Sequence, residues 1–216
     1  MEKLSSIVLV EGKSEAQILP VLCRMAGIEV DFRIQPENSL NELKKALKTY
    51  LKSTNTLKKI WVVIDADLSF DGAWQSIKDI LLRSGRYAFD AKMSLPSGGA
   101  IIEPLDKEDL TVGVWIMPNN RDVGMLEDFL LSLIPESDSL LPSADDIVDR
   151  LDEERQRHVG IFKHVHKSKA RIHTWLAWHD TPGESISVAI QKHLFATDKD
   201  LCRRFNQWLA ALHTPD

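Results

Sequence analysis

The chain is 216 residues long, 44% hydrophobic, and sets 27 Lys and Arg against 32 Asp and Glu, for a formal net charge of −5. That length and composition support one sizeable core, no apolar run approaches the ~18–20 residues of a membrane span, and the overall charge does not announce a nucleic-acid binder. The N-terminus lacks a small-residue cleavage site after its short apolar run and reads as a core strand rather than a signal peptide, so a cytoplasmic chain with no membrane partner is expected.

Apolar runs and helical periods alternate along the chain. Ile7–Val10 is unbroken, as in a strand buried on both faces. Residues 14–27, SEAQILPVLCRMAG, have helical spacing closed by Gly27, with Pro20 expected to kink the helix or restart it. Residues 28–35, IEVDFRIQ, alternate as a half-buried strand does. Residues 39–54, SLNELKKALKTYLKST, place Leu40, Leu43, Ala46, Leu47, Tyr50 and Leu51 at helical spacing. KIWVVID, residues 59–65, predicts a second buried strand, and residues 71–85 a helix closed by Gly85. From Tyr87 to Pro118 there is no helical period, only Gly and Pro punctuation and a final strand over Val112–Met117. Helices are then expected at residues 124–134, 144–155, 170–180 and 186–195. The last, at 199–213, has Leu201, Phe205, Trp208, Leu209 and Leu212 on one face. This order predicts an α/β fold with a mostly parallel central sheet flanked by helices. Residues 1–135 form the expected core, and residues 136–216 a helical C-terminal extension packed on it.

The stretch VLVEGKSEA, residues 8–16, holds Gly-Lys-Ser between a strand and a helix, as a phosphate-binding P-loop would. The first glycine of that motif would fall at position 7, where Ile7 stands inside the strand. No loop remains to turn its N–H groups toward a phosphate. What the stretch offers instead is an acid at the strand end, Glu11, and another, Glu15, one turn into the helix. In parallel sheets functional groups gather beyond the carboxyl ends of the strands. Asp65 and Asp67 follow the strand IWVVI as D-x-D, a spacing that in an extended chain turns both carboxylates to one side. Glu127 and Asp128 head the helix that follows the next strand. A lone Asp at a strand end is usually a helix cap. Acids at three strand ends without matching bases raise one another's pKa and point to a hard cation such as Mg²⁺, which takes oxygen ligands and keeps several waters.

In these residues the chain resembles a known family. LVEGKSE, VVIDAD and GMLED resemble the Toprim fold, the catalytic module shared by bacterial primases, topoisomerases and OLD-family nucleases. KARIHTWLAWHDTPG, residues 169–183, is similar to a segment that recurs in small stand-alone OLD-like Toprim proteins of bacteria, and the likeness spans nearly the whole chain. The resemblance implies a Toprim-like (Rossmann-like) sheet and a Mg²⁺-dependent nuclease acting on DNA or RNA, with two ions replaceable by Mn²⁺. Glu11 would be a metal ligand and a catalytic acid or base. Glu15, Asp65 and Asp67 would be further ligands, and Glu127 with Asp128 would supply the second metal site. Lys169 would be the catalytic lysine near the scissile phosphate. The chain departs from its relatives at Asn119, where they often carry Asp, which argues against a metal role at that position. OLD proteins join the nuclease to an ATPase in one chain. None is present in this sequence, which leaves room for a separate ATPase partner, for a homodimer and for a role in phage defence. Two other readings stay open: a non-catalytic binding or effector module, and a phosphohydrolase of small phosphates.

The segment 155–173 carries Arg155, Arg157, Lys163, Lys167, Lys169 and Arg171 and no acid, whereas residues 144–154 are rich in acids. Arg155, Arg157, Lys163, Lys167 and Arg171 are the candidate nucleic-acid contacts, with a solvated surface as the equal alternative. Trp175 and Trp178, at i and i+3, read as core rather than as a stacking platform for bases. His164 and His166 form an H-x-H with no third ligand in view, and Cys23 and Cys202 are expected to be buried free thiols.

Overall fold

A computed structural model describes residues 5–53, 57–90 and 92–213. In chain order it contains β1 (Ser6–Val10), α1 (Lys13–Met25), β2 (Arg33–Pro36), α2 (Leu40–Lys52), β3 (Lys59–Asp65), α3 (Phe70–Ser84), β4 (Ala100–Ile102) and β5 (Thr111–Met117). The helices α4 (Leu126–Ser132), α5 (Leu141–Glu153), α6 (Lys167–Ala177), α7 (Ile186–Gln191) and α8 (Asp200–Ala210) follow, with short 3-10 turns at Arg155–Arg157 and His164–His166.

The sheet order is β2-β1-β3-β5-β4. The first four strands in that order are parallel, and β4 closes the edge antiparallel to β5. β1, β3 and β5 are apolar throughout because helices cover both faces of the sheet. Side chains alternate between those faces: Ile7, Leu9, Ile60, Val62, Val112 and Val114 pack with α2 and α3, whereas Val8, Val10, Trp61, Val63 and Trp115 pack with α1, α4, α6 and α8. Trp61 sits opposite Gly113 in the register. A Cβ at position 113 would come within 2.5 Å of the Trp61 ring, so glycine there makes room for the indole.

The C-terminal helices complete the second face. Trp208 and Phe205 of α8 meet Trp115 at centroid distances of 5.7 and 4.9 Å. The Trp61 indole N–H donates to the Trp208 carbonyl at 3.0 Å, and that of Trp208 to the Ala100 carbonyl at 3.1 Å. Aromatic rings and their N–H groups thus tie α8 to three strands. Cys23 and Cys202 are free and buried, and burial pushes both thiols up to about 11. No helix among the described residues is long and apolar enough to cross a membrane.

Several local expectations shift. The α1 helix runs through Pro20 as one element, and the strand expected over residues 28–35 shortens to Arg33–Pro36. In the 186–195 segment the helix stops at Gln191, and His193 adopts a left-handed φ of 60°. β4 lies inside the stretch without a helical period, where three residues are too few for alternation to register. Trp175 is fully buried in the core, while Trp178 is 40% exposed.

Candidate carboxylate site at the sheet edge

The chain passes from β1 outward to β2 and then back across β1 to β3, so the order reverses between β1 and β3. In open parallel sheets the crevice beyond the carboxyl ends at such a reversal is where ligands bind. Glu11 directly follows β1, and Asp65 is the last residue of β3. β5 is the next strand over, and the chain beyond it reaches α4, whose first turn carries Glu127 and Asp128.

The acids of this edge are held in different ways. Glu11 is half-buried, and its Oε2 atom is buried without a hydrogen-bond partner. Burial pushes its pKa up, Asp67 and Glu15 add to the rise, and backbone hydrogen bonds at Asp65 and Leu40 oppose it. Glu15 is buried in the first turn of α1, and its Oε2 is likewise without a partner. Its pKa is raised by burial and by the charge of Glu127, against backbone hydrogen bonds at Glu15 and Gly12 and the charge of Lys169. Asp65 is raised most strongly, by burial and then by Glu15, Glu11, Glu127 and Asp67, all of its own sign. Its Oδ1 accepts the Leu126 N–H at 3.0 Å, which docks the start of α4 on the end of β3.

The D-x-D pair reaches this edge by a different geometry from that expected. The extended conformation ends at Asp65. Asp67 is exposed with a left-handed φ of 50° and exchanges backbone hydrogen bonds with Gly124 at 2.8 and 2.9 Å. Asp67 stays within electrostatic reach of Glu11 and Asp65, but a turn and not strand alternation brings it there. The bridge also fixes the loop before α4. Gly124 has a φ of 132°, and a Cβ there would lie 2.6 Å from Asp128 Oδ2.

At the head of α4 the two neighbouring acids part company. Glu127 is buried and forms an ion pair with Lys169, Nζ to Oε1 at 3.2 Å. Asp128 is engaged at both oxygens: Oδ2 accepts the Met125 N–H at 2.8 Å, and Oδ1 accepts the Ser168 hydroxyl at 2.5 Å. Ser168 thereby pins the first turn of α6 to α4 and sets Lys169 beside Glu127. Sequence reasoning passed over Ser168. Its only signal was a small hydroxyl between two lysines at a helix start. Asn119 is used locally, its amide donating to Asp122 Oδ2 at 2.8 Å.

These carboxylates share an electrostatic field but not yet a coordination point. Among the described residues no group of three or more His, Cys, Asp or Glu is arranged to hold a metal ion. The donor set nevertheless suits a hard cation. It is all oxygen, two of its buried oxygens have no partner, and the pKa values of three members are pushed up by burial and then by neighbouring like charge.

The basic segment is distributed differently from the acids. Arg171 pairs with Asp149 at 2.5 Å and Asp145 at 3.3 Å, and Lys167 with Asp149 at 3.0 Å and Asp152 at 3.5 Å. Arg155 pairs with Asp152 at 3.2 Å and Arg157 with Glu154 at 3.3 Å. His164 Nδ1 lies 2.7 Å from Asp152 Oδ2. Lys163 is exposed and has no ion pair among the described residues.

The family described as "Protein of unknown function (DUF3226)" matches residues 5–214, and the chain belongs to that family. No curated protein matches. Among solved structures, the C-terminal region of the Xanthomonas campestris pv. campestris OLD protein is similar at 13% identity, covering 98% of this chain and 87% of its own, with a TM-score of 0.42. The C-terminal region of the Burkholderia pseudomallei OLD protein is similar at 16% identity, covering 98% and 89%, with a TM-score of 0.42.

Proposed function

We propose that the protein is a metal-dependent nuclease of the Toprim type, hydrolysing phosphodiester bonds at the edge formed by β1, β3 and α4. The observation that carries this reading is the pair of buried, partnerless carboxylate oxygens on Glu11 and Glu15 beside Asp65, at the reversal of strand order. Leaving such oxygens buried without a counter-charge is costly, and a divalent ion relieves that cost.

Glu11, Glu15, Asp65, Asp67 and Glu127 would hold Mg²⁺ or Mn²⁺. Asp128, committed to Met125 and Ser168, would position the first turn of α4. When bound, such ions supply an activated water and stabilise the leaving oxygen of an in-line displacement. The chain's own residues do the rest. Lys169 Nζ, held by Glu127, offsets charge that develops on the phosphoryl oxygens. Glu11 would serve as a metal ligand through its partnerless Oε2 and is the candidate general acid or base at the end of β1.

The test combines an activity with a binding readout. Protein supplied with Mn²⁺ should cleave an oligonucleotide, and Asp65→Asn and Glu11→Gln should each lower the rate by at least ~100-fold. Independently of turnover, Mn²⁺ should raise the melting temperature of the wild type by mass action. Asp65→Asn should lose most of that rise while melting at the same or a higher temperature without metal, since one of several repelling charges has gone. No Mn²⁺ shift in the wild type, or an unchanged rate in Asp65→Asn, would overturn the assignment.

A further inference from the structure

A groove of about 600 Å³ lies between α2 and α3, on the face of the sheet opposite α6. Its lining sets Lys44, Lys48, Lys52, Arg83 and Arg86 against one acid, Asp79. The three lysines fall at i, i+4 and i+8 of α2, one residue after the buried row Leu43, Leu47 and Leu51. They form a single line beside the row that faces the sheet, and at 1.5 Å of rise per residue they stand about 6 Å apart along the axis. Arg86 is paired with Asp109 at 2.7 Å, and Asp79 accepts a hydrogen bond from Gln75 at 2.7 Å. Glu42, the acid in the first turn of α2, pairs with Lys45. Among the described residues Lys44, Lys48, Lys52 and Arg83 have no ion-pair partner. In a protein with a net charge of −5 this leaves a concave line of unmatched cations.

We infer that this groove is a binding track for the sugar-phosphate backbone of a nucleic acid. Evenly spaced ammonium groups act as point charges that suit a repeating phosphate, without the forked geometry that a single carboxylate or phosphate draws from arginine. The position of α2 supports the same occupant. Its first residue, Leu40, contributes a backbone hydrogen bond to Glu11, and Lys44 lies about one turn, or 6 Å of axis, below it. A backbone lying along α2 therefore leads toward the carboxylate edge. The inference deepens the nuclease reading in that both require a nucleic-acid ligand, but it needs neither metal nor turnover.

A fluorescent oligonucleotide titrated onto the full chain in EDTA tests it. With four unpaired cations on the track, the log–log dependence of affinity on salt should have a slope of about −3 to −4. Lys48→Gln and Lys52→Gln should each make that slope about 1 shallower and together weaken binding roughly tenfold or more. Both lysines are exposed, and circular dichroism of the variants separates lost binding from lost fold. Unchanged binding in the Lys48/Lys52 double variant would overturn the inference, as would polyglutamate binding more tightly than the oligonucleotide at equal charge concentration, which would make the occupant an acidic protein. Lysine-dependent binding with no cleavage under any metal would leave the track standing and remove the nuclease. Cleavage indifferent to both lysines would do the reverse.

Discussion

The two basic regions of the molecule carry similar numbers of cations and differ in what faces them. Between α5 and α6, Arg171 and Lys167 lie against Asp145, Asp149 and Asp152, and the arginines of the following turn lean on Asp152 and Glu154. Between α2 and α3, the lysines line a hollow with one acid, already hydrogen-bonded to Gln75. A charge surrounded by counter-charge contributes little to the field that a distant phosphate feels. The richer run in the sequence is therefore the weaker candidate for long-range attraction, and the plainer run is the stronger one.

The largest effect should come from undoing the match. Asp145→Asn with Asp149→Asn releases Arg171 and part of the hold on Lys167, so the double variant should bind an oligonucleotide about tenfold more tightly at low salt, with a slope steeper by about 1. Unchanged affinity and slope would mean that the stripe lies off the path of the ligand even when its charge is free, which sharpens the contrast with the groove.

A smaller effect separates the regions by stability. Arg171 is half-buried between two carboxylates, and Arg171→Ala should cost about 1 kcal/mol. In a chain of this size that lowers Tm by roughly 2–4 °C. Lys48→Ala, which leaves no partner behind, should stay within about 0.5 kcal/mol of the wild type. Equal losses for the two would show that the groove lysines have structural work of their own.

The sequence was legible wherever a local pattern coincides with what the tertiary fold uses. Ile7–Val10 and Lys59–Asp65 read as buried strands because both faces of those strands are covered. Glu11 and Asp65 fall at the ends of strands that prove adjacent in the sheet, and Glu127 in the helix that follows the next strand over, an order that the sequence could suggest but not state. Features that depend on contact between distant segments stayed hidden. Nothing around Asp128 signals that Ser168 will occupy it, and the left-handed turn at Asp67 depends on its bridge to Gly124. The groove lysines looked like the polar face of an amphipathic helix, which they are. Their lack of partners follows only from what α3 places opposite.

The smallest effect concerns acid. The pKa of Asp149 is lowered from 3.8 by hydrogen bonds to Lys167 and Arg171, which favour its charged form in the folded protein. A carboxylate depressed in this way adds stability above its unfolded pKa and loses it as pH falls through the folded value. Asp149 is 45% exposed, so solvent screening keeps the contribution below about 1 kcal/mol. Asp149→Asn removes the titrating group. Its deficit in unfolding free energy relative to the wild type should be flat from about pH 7 down to about pH 5, shrink as the pH falls below about 4, and reach its minimum in stronger acid, where the wild-type carboxylate is protonated as well. Lys48→Gln should show no such pH-dependent difference, because the described structure places no acid against that lysine. Denaturant titrations of the three proteins across that range measure it. A deficit that shrinks between pH 7 and 5 would point to a partner other than Asp149, and one that persists undiminished in strong acid would mean that the pairing with Lys167 and Arg171 contributes nothing. Either result would remove the ground for treating the stripe as neutralised and return it to the same footing as the groove.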